Sequence, residues 1–110
     1  MLPRQNHIIA VLQAGVTACQ ETSQQVLQQT DPQHYTRVRR LCRDCAELCQ
    51  LTANFVERES EHLVYILREC AELCRSCADE QAHHAAQLPV CQQGEQACRL
   101  AEDACRTAYH

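Results

Sequence analysis

Two short stretches, CRDCAELC (Cys42 to Cys49) and CAELCRSC (Cys70 to Cys77), carry one thiol spacing written in opposite directions. The first runs Cys-x2-Cys-x3-Cys and the second Cys-x3-Cys-x2-Cys. Steps of three and four keep side chains on one face of an α-helix, so each stretch is a helical stripe of sulfur. If the two helices form an antiparallel hairpin turning near residue 59 or 60, the reversal has a meaning. It sets Cys42 level with Cys77, Cys45 with Cys74 and Cys49 with Cys70, three pairs of thiols facing each other across one seam.

The rest of the chain agrees with a helical reading. Among 110 residues there are only two Gly and three Pro, no Trp, one Phe and three Tyr, but ten Cys. Helix breaks fall at Thr30-Asp31-Pro32, at Arg58-Glu59-Ser60 with Ser60 as an N-cap, and at Leu88-Pro89. They predict four helices, 5–29, 32–57, 61–86 and 89–108, within one domain spanning 1–110. Short connections make sequential helices antiparallel, so the expected fold is all-α, an up-down-up-down four-helix bundle with a Cys-lined core.

Each predicted helix has an inward stripe. Helix one offers Ile8, Leu12, Gly15, Cys19, Thr22 and Val26, and helix two Tyr35, Val38, Cys42, Cys45, Cys49, Thr52 and Val56. Helix three offers Leu63, Leu67, Cys70, Cys74, Cys77, Gln81 and His84, and helix four Cys91, Gly94, Cys98, Ala101, Cys105 and Ala108. Every cysteine lies on a stripe. Leu41, Leu48, Phe55, Ile66 and Leu73 flank the stripes and supply packing between helices. Extending the levels sets Cys70 with Cys105, Cys77 near Cys98, His84 near Cys91, and Cys19 close to Cys42 and Cys45. CAELC occurs twice, and both central helices fit a template Cys-x2-Cys-x3-Cys-x2-Cys, broken by Thr52 in one and Leu67 in the other.

Ten thiols at helical spacing do not read as a disulfide framework, because pairs three or four apart on one helix have poor geometry for bridging. A thioredoxin-like site wants its Cys-x-x-Cys at a helix N-terminus, and Cys42-Arg-Asp-Cys45 and Cys74-Arg-Ser-Cys77 are interior. Cysteine as a plain small hydrophobe explains one core position, not ten. Soft thiolates select Cu(I), Zn(II) and iron–sulfur clusters. Cu(I) is satisfied by two or three bridging sulfurs and suits a sulfur-lined tube best. Structural Zn(II), needing four thiolates, an iron–sulfur centre and a thiol redox role stay open as alternatives. The Glu-x-x-His motifs Glu59 to His62 and Glu80 to His83 are too far apart to share a di-iron site and read as solvated surface charge. His7, His34 and His110 lie near helix ends and are expected to be exposed, whereas His84 lies on a stripe and is a candidate ligand.

A net charge of −4 and the lack of a basic patch argue against nucleic acid as a partner. The apolar run from Ile8 to Val16 is too short to span a bilayer. The VTAC segment ending at Cys19 has the form of a lipoprotein cleavage site, but the residues before it are too polar for that use.

The whole chain, most strongly Cys42 to Cys77 with its two CAELC segments, resembles the cysteine-rich four-helix-bundle copper-storage proteins of bacteria. The resemblance implies a non-catalytic protein, without a signal peptide and therefore cytoplasmic, that stores or buffers Cu(I). It implies that Cys42, Cys45, Cys49, Cys70, Cys74 and Cys77 are Cu(I) ligands, with Cys91, Cys98 and Cys105 matching thiols of the fourth helix and Cys19 one of the first. It further implies a homo-oligomer, tetrameric in many members, and a copper-donating partner. Gly94 and Ala101 stand where the full pattern has Cys, and Gly15, Thr22, Thr52 and Gln81 interrupt it elsewhere. A lower capacity follows, with ions gathered near Cys19, Cys42, Cys45, Cys74, Cys77 and Cys98.

Overall fold

The computed structural model describes residues 3–109. Four helices, α1 (Pro3–Gln25), α2 (Thr36–Glu57), α3 (Leu63–Ala82) and α4 (Pro89–Ala108), form a rod of 45 × 19 × 19 Å. Neighbours in sequence pack side by side and α4 closes the ring against α1. With short turns between them, the helices run up, down, up and down.

The turns show how local chemistry sets the ends. After α1 the chain tightens into a 3-10 turn at Val26–Gln28, and Pro32–Tyr35 forms a second one before α2. Pro32 has no amide hydrogen to lose in a first turn. Between α2 and α3, Glu59 adopts φ 52°, the left-handed region. Ser60 N–H donates to Phe55 O at 3.0 Å and Glu59 N–H to Val56 O at 3.2 Å, the paired bonds of a Schellman motif. Ser60 does not cap at the helix boundary itself. Its Oγ accepts from His62 N–H at 3.1 Å, and α3 begins at Leu63.

α3 ends at Ala82, a turn short of the expected 86. Pro89 prevents the helix from running on into α4, because the residue before it is pushed out of the helical region. Leu88 is accordingly extended (φ −126°, ψ 111°), and residues 83–87 make turns held by His84 N–H to Gln81 O at 3.0 Å and Leu88 N–H to His84 O at 3.0 Å.

All ten cysteines are buried, together with Ile8, Leu12, Val26, Val38, Val56 and Leu67. Leu41, Leu48, Phe55, Ile66 and Leu73 are half-buried at the seams. Three stripe positions differ from expectation: Ala108, in the last turn of α4, is exposed, Leu63, at the first position of α3, is half-buried, and Tyr35 is half-buried because it sits in the 3-10 turn. Among the described residues no helix is long and apolar enough to cross a membrane.

Candidate metal centre

The mirrored stripes meet. Cys42 Sγ lies 3.6 Å from Cys77 Sγ, Cys45 Sγ 3.7 Å from Cys74 Sγ, and Cys49 Sγ 3.7 Å from Cys70 Sγ. Diagonal approaches knit the levels together: Cys49 to Cys74 at 3.6 Å, Cys45 to Cys49 at 3.8 Å and Cys70 to Cys74 at 3.9 Å. α1 and α4 add sulfur at one end, with Cys19 Sγ 3.5 Å from Cys98 Sγ and 3.9 Å from Cys77 Sγ. Cys105 meets Cys70 towards the other end. In the middle α1 and α4 contribute no sulfur, since Gly15 and Ala101 stand there against Cys49.

Two groups are tight enough for one ion. The sulfurs of Cys19, Cys45, Cys77 and Cys98 all lie within 4.8 Å of one another, as do those of Cys45, Cys49 and Cys74. Two thiolates on one ion bonded at about 2.3 Å cannot be more than about 4.6 Å apart. The individual contacts of 3.5 to 3.9 Å satisfy that limit, and Cys45, shared by both groups, can bridge them.

The electrostatics single out two sulfurs on α3. Contacts from Cys19, Cys42, Cys45 and Cys98 hold the Cys77 thiol below the usual thiol range, and contacts from Cys105, Cys49 and Cys74 do the same for Cys70. Their neighbours move the other way. Cys19 is pushed up by contacts with Cys42, Cys45, Cys77 and Cys98, and Cys74 by contacts with Cys45, Cys49 and Cys70. Hydrogen bonds to an anion favour it. Within this set, a sulfur that loses its proton is held by S–H donors from its neighbours.

Two candidate ligands stand apart. Cys91 is fully buried but makes no sulfur–sulfur contact among the described residues. Burial pushes its thiol up to about 11, with the charge of Cys77 a lesser cause. His84 is buried, yet its Nε2 faces Glu80 Oε2 at 3.4 Å, and its ring packs against Tyr35 (4.9 Å) and His34 (5.2 Å). It belongs to neither tight thiol group. Glu80 is not a solvated charge: only 12% exposed, it pairs with Arg37 at 2.6 Å and faces His83 at 3.6 Å. Glu59, His62 and His83 are exposed, as are His7 and His34, and His110 lies outside the described residues.

Gln81, read from the sequence as a mere interruption, is fully buried. Its Oε1 accepts from Thr22 Oγ1 at 2.9 Å, and its Nε2 points at Cys77 Sγ (3.6 Å) and Cys98 Sγ (3.7 Å). The signal available was the level: Thr22, Gln81 and Gly94 each lie one turn beyond a cysteine, all on the same side.

The family model described as copper storage protein matches residues 3–110. A solved structure of a cytosolic copper storage protein from Streptomyces lividans, loaded with five coppers, superposes with TM-score 0.93 at 27% identity, covering 96% of this chain and 92% of that one. The Streptomyces lividans copper storage protein Ccsp with 10 copper equivalents gives TM-score 0.93 and 27% identity over 96% of this chain and 83% of that one. Cu(I)-bound BsCsp3, at 24% identity, TM-score 0.91 and coverage of 97% and 99%, shares the fold. Among curated proteins none matches the chain.

Proposed function

This chain belongs to the copper storage protein family, and from that premise we propose that it holds several Cu(I) ions on core thiolates as a reserve. The observation that carries this reading is the density of sulfur. Eight buried thiols lie in two sets with sulfur–sulfur contacts of 3.5 to 3.9 Å, joined where Cys45 comes within 4.8 Å of Cys19, Cys77 and Cys98, and Cys105 extends the column beside Cys70, far more sulfur than one structural Zn(II) uses. Cys19, Cys42, Cys45, Cys49, Cys70, Cys74, Cys77, Cys98 and Cys105 are the ligands in this reading. Loading proceeds by replacing S–H protons with bridging metal, so each step releases protons.

The protein stores rather than turns over. Its thiols are all buried, and the column is filled by its own side chains, which suits retention of an ion and not exchange of substrate with product. A cytoplasmic setting is supported by similarity to a protein described as cytosolic. A copper-donating partner supplies the ions, and self-association into a homo-oligomer, a tetramer by the resemblance, would cover exposed apolar side chains such as Tyr65 and Leu100. Anaerobic titration of the reduced protein with Cu(I), then with Zn(II), tests the reading. Several Cu(I) ions per chain with progressive loss of thiol reactivity is the expected result; tight binding of Zn(II) alone would overturn it.

A further inference from the structure

One level of the bundle contains no sulfur. A turn beyond Cys19, Cys42, Cys77 and Cys98 lie Thr22, Val38, Gln81 and Gly94, one residue from each helix, all buried. Mirror register persists past this level, since Tyr35 and His84 still meet across the α2–α3 seam at 4.9 Å. The layer is thus a break in the column rather than its frayed end. Beyond it lies one more thiol, Cys91.

The amide of Gln81 fills the break. A Cβ on Gly94 would overlap Gln81 Oε1, Cδ and Nε2, so the amide occupies the notch left by the missing side chain. On α4, Gly94 stands between Cys91 and Cys98, and the amide therefore sits between those two thiols along the seam. The hydroxyl of Thr22 faces Oε1 at 2.9 Å, with Ala18 O (3.1 Å) and Val90 O (3.4 Å) as further acceptors, and Nε2 faces Cys77 and Cys98 as a donor. An amide oxygen is a poor ligand for a soft ion, so Gln81 acts on sulfur and not on metal.

We propose that Gln81, braced by Thr22 and seated against Gly94, is a positioning residue that terminates the thiol column: it hydrogen-bonds the end sulfurs of Cys77 and Cys98 and shuts Cys91 out of the copper array. This rests on the storage reading above and assigns its boundary. Cys91 then serves packing, and the capacity of the protein is set by nine thiols.

Anaerobic Cu(I) titration of the full chain, Cys91→Ser, Cys98→Ser, Gln81→Ala and the double variant Gln81→Ala/Cys91→Ser tests it, with the end point read by thiol reactivity. With Gln81 in place, Cys91→Ser keeps the unaltered capacity while Cys98→Ser loses about one ion per chain, as removal of a bridging thiolate requires. In the Gln81→Ala background, Cys91→Ser becomes costly and loses about one ion. Equal losses from Cys91→Ser and Cys98→Ser would overturn the boundary, and that comparison does not depend on how well Gln81→Ala folds. A Cys91→Ser change that stays silent in folded Gln81→Ala, judged by circular dichroism, would overturn the role of Gln81. Failure of the unaltered chain to bind Cu(I) would overturn the storage reading and this boundary with it.

Discussion

Gly15 and Gly94 lie on adjacent helices and make opposite predictions. At Gly15 an added Cβ would meet Ala101 Cβ and Cys49 Sγ at 3.8 Å, ordinary contact. Gly15→Ala should therefore raise stability by about 0.5–1 kcal/mol, the usual gain from removing a mid-helix glycine. At Gly94 the same methyl overlaps the amide end of the fully buried Gln81, which must be displaced from its place beside Thr22. Gly94→Ala should cost about 1–3 kcal/mol, as overpacking does. Urea unfolding of the reduced, metal-free protein checks both, and Gly94→Ala should turn neutral or favourable once Gln81 is cut to Ala. Cys91 gives a pH prediction. Its folded thiol titrates near about 11, above the unfolded value of about 8.5, so the folded chain keeps a proton that the unfolded chain releases. That contribution is fully present below about pH 8.5 and is lost as pH rises towards 11. Melting temperature should fall across that window, and Cys91→Ala should flatten part of the fall.

Between elements, the α2–α3 turn is the one place among the described residues where a non-glycine residue takes a positive φ. Glu59 stands in left-handed conformation at the position of a Schellman motif that glycine usually fills. Glu59→Gly should stabilise the protein by about 1 kcal/mol, less the exposed hydrogen bond from Gln5 Nε2 that it removes. Thermal melts decide it. This hairpin was also the most legible part of the fold. A short turn joins α2 to α3, so the reversed spacing gave the register directly, and its three thiol pairs lie at 3.6–3.7 Å. The α1–α4 contact was harder, because no turn joins those helices and a single Cys19 marks the level on α1. The role of Gln81 was illegible for a related reason. Its partners are a hydroxyl on one helix and a missing side chain on another, and an absence leaves no pattern in a sequence. Glu80 read as solvated because its strongest partner is Arg37 on α2, which spacing along α3 does not reveal; its i,i+4 approach to His84 was within reach of the helical pattern.

At the scale of the molecule, one core combines the sulfur column with apolar side chains that bind nothing. Leu12, Leu67, Val26, Val38 and Val56 are buried without contributing a ligand. Reduced, metal-free protein should therefore be helical and unfold cooperatively, and Cu(I) should raise its melting temperature without changing helix content. A random-coil circular dichroism spectrum of the apo form would contradict this. Because binding displaces protons, Cu(I) affinity should weaken as pH falls, and competition with a Cu(I) chelator at pH 7.5 and about 5.5 measures it. The same crowding has a further cost. A covalent sulfur–sulfur bond is about 2.05 Å long, so neighbours at 3.5 Å are one small side-chain movement and two lost electrons from a cross-link. An empty rod is thus a perishable object, vulnerable to any oxidant small enough to penetrate it. Copper, by occupying the lone pairs, acts as the protecting group, and the filled state should outlast the vacant one in air.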